Sequence, residues 1–144
     1  MIEILMVEDS ESDIQLTKIA FKKAKLMNRL SIVRDGKSAL QYLKNEPPYE
    51  SAARPDLILL DLKLPRLSGH GVLKEIKQDS SLRLIPVVVL TSSDLDSDVL
   101  KSYELSANCY ITKPVDINKL LEVVKSIEQF WIKIVRLPPV PKSS

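Results

Sequence analysis

The stretch "RPDLILLDLKLPRLSG", residues 54–69, places four consecutive apolar residues, Leu57 to Leu60, directly before a carboxylate, Asp61. A run that is apolar on both faces marks a strand in a parallel sheet covered by helices on each side, where neither face meets water and alternation disappears. Read as a strand, this run is "DLILLD" (56–61), and four more short apolar runs can be read as strands, several of them apolar on both faces: "IEILMV" (2–7), "LSIV" (30–33), "IPVVVLT" (85–91) and "CYIT" (109–112). Between and after them, apolar residues recur at the helical spacings of three and four. The sets are Leu16, Ile19, Ala20 and Ala24; Ala39, Leu40 and Leu43; Val72, Leu73 and Ile76; Val99, Leu100 and Tyr103; and Ile117, Leu120, Leu121 and Val124. Strand and helix therefore alternate five times. Right-handed crossovers turn that order into an α/β fold, a doubly wound parallel sheet with helices on both faces, and for five strands the common arrangement is 2-1-3-4-5. Ligands in such sheets bind outside the carboxyl ends of the strands at the switch point, here between strands 1 and 3.

The 144 residues suit one domain. We place it at residues 1–135, with an extended last helix, followed by the proline-rich tail "RLPPVPKSS" (136–144), which cannot stay helical. "NEPPYESAARP" (45–55) is a long polar connection before strand 3. A net charge of +2 offers no electrostatic case for nucleic acid, and basic runs such as "FKKAK" (21–25) read as the wet face of a helix. The single cysteine, Cys109, excludes an intrachain disulfide and a cysteine metal site, and is read as a small core residue. The start "MIEILMVEDS" reaches acids too soon for a signal peptide, and no apolar run approaches the roughly 20 residues of a membrane span, so a cytoplasmic location with no membrane partner is expected. With only three glycines, neither a Walker loop nor a dinucleotide fingerprint can be written on the chain.

Polar residues gather where the strands end. Strand 1 runs into Glu8 and Asp9, strand 3 into Asp61, strand 4 into Thr91 and Ser92, and strand 5 into Lys113-Pro114. Taken singly each has an ordinary reading: "EDSESD" (8–13) as a solvated helix start, Thr91 as a good strand former, Lys113-Pro114 as a turn. Taken together they describe a site. Carboxylates about 5 Å apart repel by roughly 3 kcal/mol per pair at an effective dielectric near 20, so a positive group belongs among them. All-oxygen ligation is Mg²⁺ chemistry, and one histidine and one cysteine offer nothing softer. Lys113 adds a second cation and Thr91 a hydroxyl donor, which together make a receptor for a phosphoryl group, with the small Ser92 leaving room for its approach. Asp61 as nucleophile would give an acyl phosphate.

Glu8-Asp9, Asp61 within "LLDLKLPRLSG", Thr91 within "VVLTSS" and "KP" at 113–114 occur here in the order found in response regulator receiver domains, which the chain resembles over nearly all of residues 1–125. The resemblance implies a flavodoxin-like fold and a two-component signalling switch, with limited autophosphorylation and autodephosphorylation rather than enzymatic turnover. It implies that Asp61 is the phosphoacceptor and Lys113 pairs with the phosphate. Asp9, Asp61 and the backbone carbonyl of Lys63 would bind Mg²⁺, with Glu8 helping through water. Thr91 and Tyr110 would be the groups that shift on activation, and the bond before Pro114 would be cis. The long 45–55 connection and "SIEQFWIKIVRLPP" (126–139) further resemble the stand-alone regulators of phytochrome-type histidine kinases, which would make such a kinase the phosphodonor.

Val123, Ile127, Phe130 and Ile134 form a second apolar stripe on the last helix, rotated from the one that covers the sheet. With Trp131 they are expected to form a homodimer interface. Two other readings compete. A haloacid-dehalogenase-type phosphohydrolase would want an acid two residues after its nucleophile, where this chain has Lys63. A phosphate-independent adaptor or nucleic-acid binder would have to work without a separate binding module. His70 lies in the loop after strand 3 and not on a bundle helix, which disfavours a role as phosphohistidine donor.

Overall fold

A computed structural model describes residues 2–23, 27–92, 109–113 and 117–128. Five parallel strands, β1 (Ile2–Val7), β2 (Asn28–Val33), β3 (Leu57–Leu60), β4 (Val87–Thr91) and β5 (Cys109–Thr112), form one sheet in the order β2-β1-β3-β4-β5. The described helices are α1 (Glu11–Lys23), α2 (Gly36–Leu43), α3 (Gly69–Gln78) and α4 (Ile117–Glu128), with a short 3₁₀ turn at Leu82–Leu84. The doubly wound topology expected from the apolar runs is the one observed. Val99, Leu100, Tyr103, Pro114, Phe130, Trp131, Ile134 and the tail 136–144 lie outside the described residues.

Period-two alternation splits the core into two layers. Leu5, Val7, Ile58, Leu60, Val87 and Val89 face α2 and α3, where they meet Ala39, Leu43, Val72, Leu73 and Ile76. Ile2, Ile4, Met6, Leu57, Leu59, Val88, Leu90 and Ile111 face the other way, onto Ile14 and Phe21 of α1 and Leu120 of α4. All four β3 side chains are fully buried, each contributing about 1.5–3 kcal/mol.

Helix α1 departs from expectation. Leu16 and Ile19, read as core, are 51% and 49% exposed, and the buried face is Ile14, Thr17, Ala20 and Phe21. Both sets satisfy helical spacing; Phe21 and Ile14 bury more apolar surface against the sheet, and the helix turns to seat them. The 45–55 connection is ordered by its own polar groups. Asn45, at φ 55°, donates its side-chain amide to the carbonyls of Tyr49 and Ala52, and Tyr49 stacks obliquely on Tyr42 with ring centroids 5.4 Å apart.

Candidate functional site

The same alternation that builds the core aims the site. In β1 the residues facing α1 and α4 are Ile2, Ile4 and Met6, and the next in step is Glu8. In β3 they are Leu57 and Leu59, followed by Asp61; in β5 Ile111 is followed by Lys113. Three strand ends thus deliver two carboxylates and one ammonium to one side of the sheet, at its carboxyl edge. Sheet hydrogen bonds extend past the strands to hold them: Asp61 N–H donates to the Val7 carbonyl at 3.0 Å and Glu8 N–H to the Val33 carbonyl at 3.0 Å.

Lys113 is the hub. Its ammonium lies 2.5 Å from Glu8 Oε1, 2.7 Å from Asp13 Oδ2 and 3.4 Å from Asp61 Oδ2. Glu8 is 1% exposed and Asp61 7%. The second Glu8 oxygen accepts the backbone N–H groups of Asp9 and Ser10, each at 3.1 Å, and Asp61 Oδ1 accepts Lys63 N–H at 3.2 Å. Burial drives the Glu8 carboxyl up to about 7, with Asp61 pushing the same way and the hydrogen bond from Lys113 opposing. Burial alone would lower the Lys113 ammonium; the hydrogen bonds to Asp13 and Glu8 and the charges of Asp61 and Glu8 outweigh it and raise the group above its ordinary value.

The Glu8 shift makes a pH prediction. Between the ordinary value of 4.5 and about 7 the folded chain holds a proton that the unfolded chain releases. The stabilisation linked to that proton is complete below the lower value and is lost as pH rises through the upper one. Urea unfolding without divalent ions should therefore show stability falling across this window by on the order of 2–3 kcal/mol, and Glu8→Gln should flatten the decline. Parallel pH profiles for the two proteins would count against the buried carboxyl as its source.

Of the residues expected from the sequence, Glu8, Asp61 and Lys113 are brought together. Asp9 is exposed at the rim, beside Glu8. Lys63 is exposed and reaches Asp61 through its backbone, and Ser92 is exposed. Tyr110 is half-buried, packed on the α2 and α3 side of the core. Thr91 ends β4 in register with Thr112, but its side chain is outside the description, as are those of Val123 and Ile127 on α4.

Asp13 was missed by sequence reasoning. It sits in the first turn of α1, where an acid favours the helix dipole, and its ordinary reading as part of a solvated helix start hid its reach to Lys113. A signal existed: Asp13, Thr17 and Ala20 share a helical face, and the last two are buried.

The donor set suits a hard divalent cation. Four carboxylates, Glu8, Asp9, Asp13 and Asp61, lie on or beside the edge against one ammonium, and every one is an oxygen donor. Among the described residues no three of them already form a metal-holding cluster, so Asp9 and Asp61 would have to draw in toward the ion.

Residues 4–125 match the model of the response regulator receiver domain. The chain is 47% identical to response regulator Rcp1 of Synechocystis sp. over 94% of its own length and 92% of that protein's. It is 40% identical to the probable methanogenesis regulatory protein FilR2 of Methanothrix harundinacea, over 94% of this chain and 86% of that one. Among solved structures, the phosphorylated cyanobacterial phytochrome response regulator RcpA superposes with a TM-score of 0.82 at 46% identity, covering 96% of this chain and 99% of that one. The Mn²⁺-bound form of Rcp1 gives the same TM-score of 0.82 and 46% identity, over 96% of this chain and 100% of that chain. No described helix is long and apolar enough to cross a membrane.

Proposed function

The chain belongs to the response regulator receiver domain family, and from that premise we propose that it is a signalling switch that accepts a phosphoryl group on Asp61 from a phytochrome-type histidine kinase. The observation that carries this reading is the convergence of Asp61 and Lys113 at the carboxyl edge of the sheet, 3.4 Å apart, next to the buried Glu8. In the transfer, an Asp61 carboxylate oxygen attacks the phosphorus of a phosphohistidine. The P–O bond forms as the P–N bond breaks, and the electron pair leaves with the imidazole. Lys113 stands beside Asp61, where charge accumulates on the phosphoryl oxygens, and its ammonium can stabilise that charge. Asp9, Asp61 and the Lys63 carbonyl would hold Mg²⁺, with Glu8 acting through water. The ion supplies further positive charge to those oxygens when bound.

Support for the kinase class comes from the likeness to RcpA and Rcp1, together with the long connection before β3 that Asn45 and Tyr49 keep ordered. The reading includes a homodimer through the last helix, where Val123 and Ile127 fall on α4. Mixing the protein with a phosphorylated phytochrome-type kinase and Mg²⁺ should move one phosphoryl group to it within the mixing time. Transfer no faster than from an unrelated histidine kinase would overturn the choice of donor; no transfer from either would overturn the switch.

A further inference from the structure

An ammonium has three N–H donors, and those of Lys113 are all committed to carboxylates: Glu8, Asp13 and, at 3.4 Å, Asp61. A phosphoryl group on Asp61 adds strong acceptor oxygens that would take over the long 3.4 Å contact, and a closer approach of the ammonium to them draws it away from its two shorter partners. The Glu8 contact is poorly placed to yield. Its carboxyl is buried and tied by two backbone N–H groups, so water cannot readily take the lysine's place there. Asp13 differs: its side chain is 29% exposed, and water can replace the lysine there at little cost. Its backbone, meanwhile, is fixed in α1, where its carbonyl accepts the Thr17 hydroxyl at 2.9 Å.

We propose that Asp13 is a positioning residue that draws the Lys113 ammonium toward α1 and competes with a phosphoryl group on Asp61 for it, so that Asp13 limits how tightly the phosphorylated form is held. This rests on Asp61 being the phosphoacceptor. Asp13 carries a negative charge that also opposes an anionic group arriving nearby, and both effects have the same sign. Removing the charge releases Lys113 to the phosphoryl group and removes the repulsion.

Beryllofluoride, a tetrahedral mimic of an aspartyl phosphate, is the probe. Its affinity in Mg²⁺ is measured by calorimetry for the wild type, Asp13→Asn, Asp13→Glu and Asp61→Asn, with the Lys113 side-chain nitrogen followed by NMR. Asp13→Asn should bind about three- to tenfold more tightly, the range of one partly exposed charge-assisted hydrogen bond. Asp13→Glu should return to wild-type affinity, and the Lys113 resonance of Asp13→Asn before titration should have moved from its wild-type position. Equal or weaker binding by Asp13→Asn, while the wild type binds and Asp61→Asn does not, would overturn the role of Asp13 alone. Asp13→Ala, which lacks any acceptor, serves if the amide variant folds poorly and should also bind more tightly. Binding to Asp61→Asn as strong as to the wild type would instead overturn the assignment of Asp61, and the proposal with it.

Discussion

Asp61→Asn should lose phosphoryl uptake completely while gaining stability. With acetyl phosphate and Mg²⁺, intact mass should show one added phosphoryl group on the wild type and none on the variant, because an amide has no carboxylate oxygen with which to form an acyl phosphate. The exchange is isosteric, and Asp61 N–H keeps its bond to the Val7 carbonyl, so the strand end stays in place. The gain in stability comes from Glu8. Asp61 pushes the Glu8 carboxyl upward, and neutralising it removes like-charge repulsion at a site that is 7% exposed. Where Glu8 is charged, that relief at an effective dielectric near 20 is a few kcal/mol, offset by the lost attraction to Lys113, which leaves on the order of 1 kcal/mol in favour of the variant above about pH 7. Equal phosphoryl uptake by both proteins would remove Asp61 from its role. A variant less stable than the wild type would mean that the lysine attraction dominates.

Gly69→Ala should damage the fold and the site together. A Cβ built on Gly69 would stand 2.2 Å from the Asp61 carbonyl oxygen and 2.6 Å from the Leu62 Cα, closer than non-bonded atoms approach. Both neighbours are backbone, with no flexible side chain to swing aside. Gly69 N–H also donates to the Leu62 carbonyl at 2.9 Å, so the loop that leaves β3 is clasped against the start of α3. Opening that clasp costs roughly 1–3 kcal/mol for overpacking and about 1 kcal/mol more for the hydrogen bond. The same displacement moves the Asp61 main chain, so phosphoryl uptake should slow even where the variant remains folded. Denaturant unfolding and acetyl phosphate kinetics on one preparation would test both. Wild-type stability would show that the loop can relax, and unchanged uptake in a destabilised variant would show that Asp61 is positioned independently of α3.

Much of this site could be read along the chain because parallel strands carry their own geometry. Asp61 and Lys113 follow their strands in step with residues of one face, and a period of two suffices to send them to the same side. The apolar runs were equally legible, since β1 and β3 are buried on both faces and leave no alternation to misread; β2 and β4 differ from expectation only by two residues at their starts. Helices are less definite. On α1 two interleaved apolar stripes satisfy the same spacing, and the choice between Leu16 with Ile19 and Ile14 with Phe21 depends on the shape of the sheet beneath.

That choice carries Asp13 with it. The spacing of the chain determined the alternation of strand and helix, the edge at which chemistry happens and the carboxylate that would perform it, because these follow from local periodicity and the handedness of crossovers, while the strand order followed the common arrangement for five strands. The rotation of α1, the contact between Asp13 and Lys113 across 100 residues, and the burial that lifts Glu8 were decided only when helix and sheet packed together. Hydrophobic contact sets how a helix is turned, and a polar side chain goes where that turn takes it.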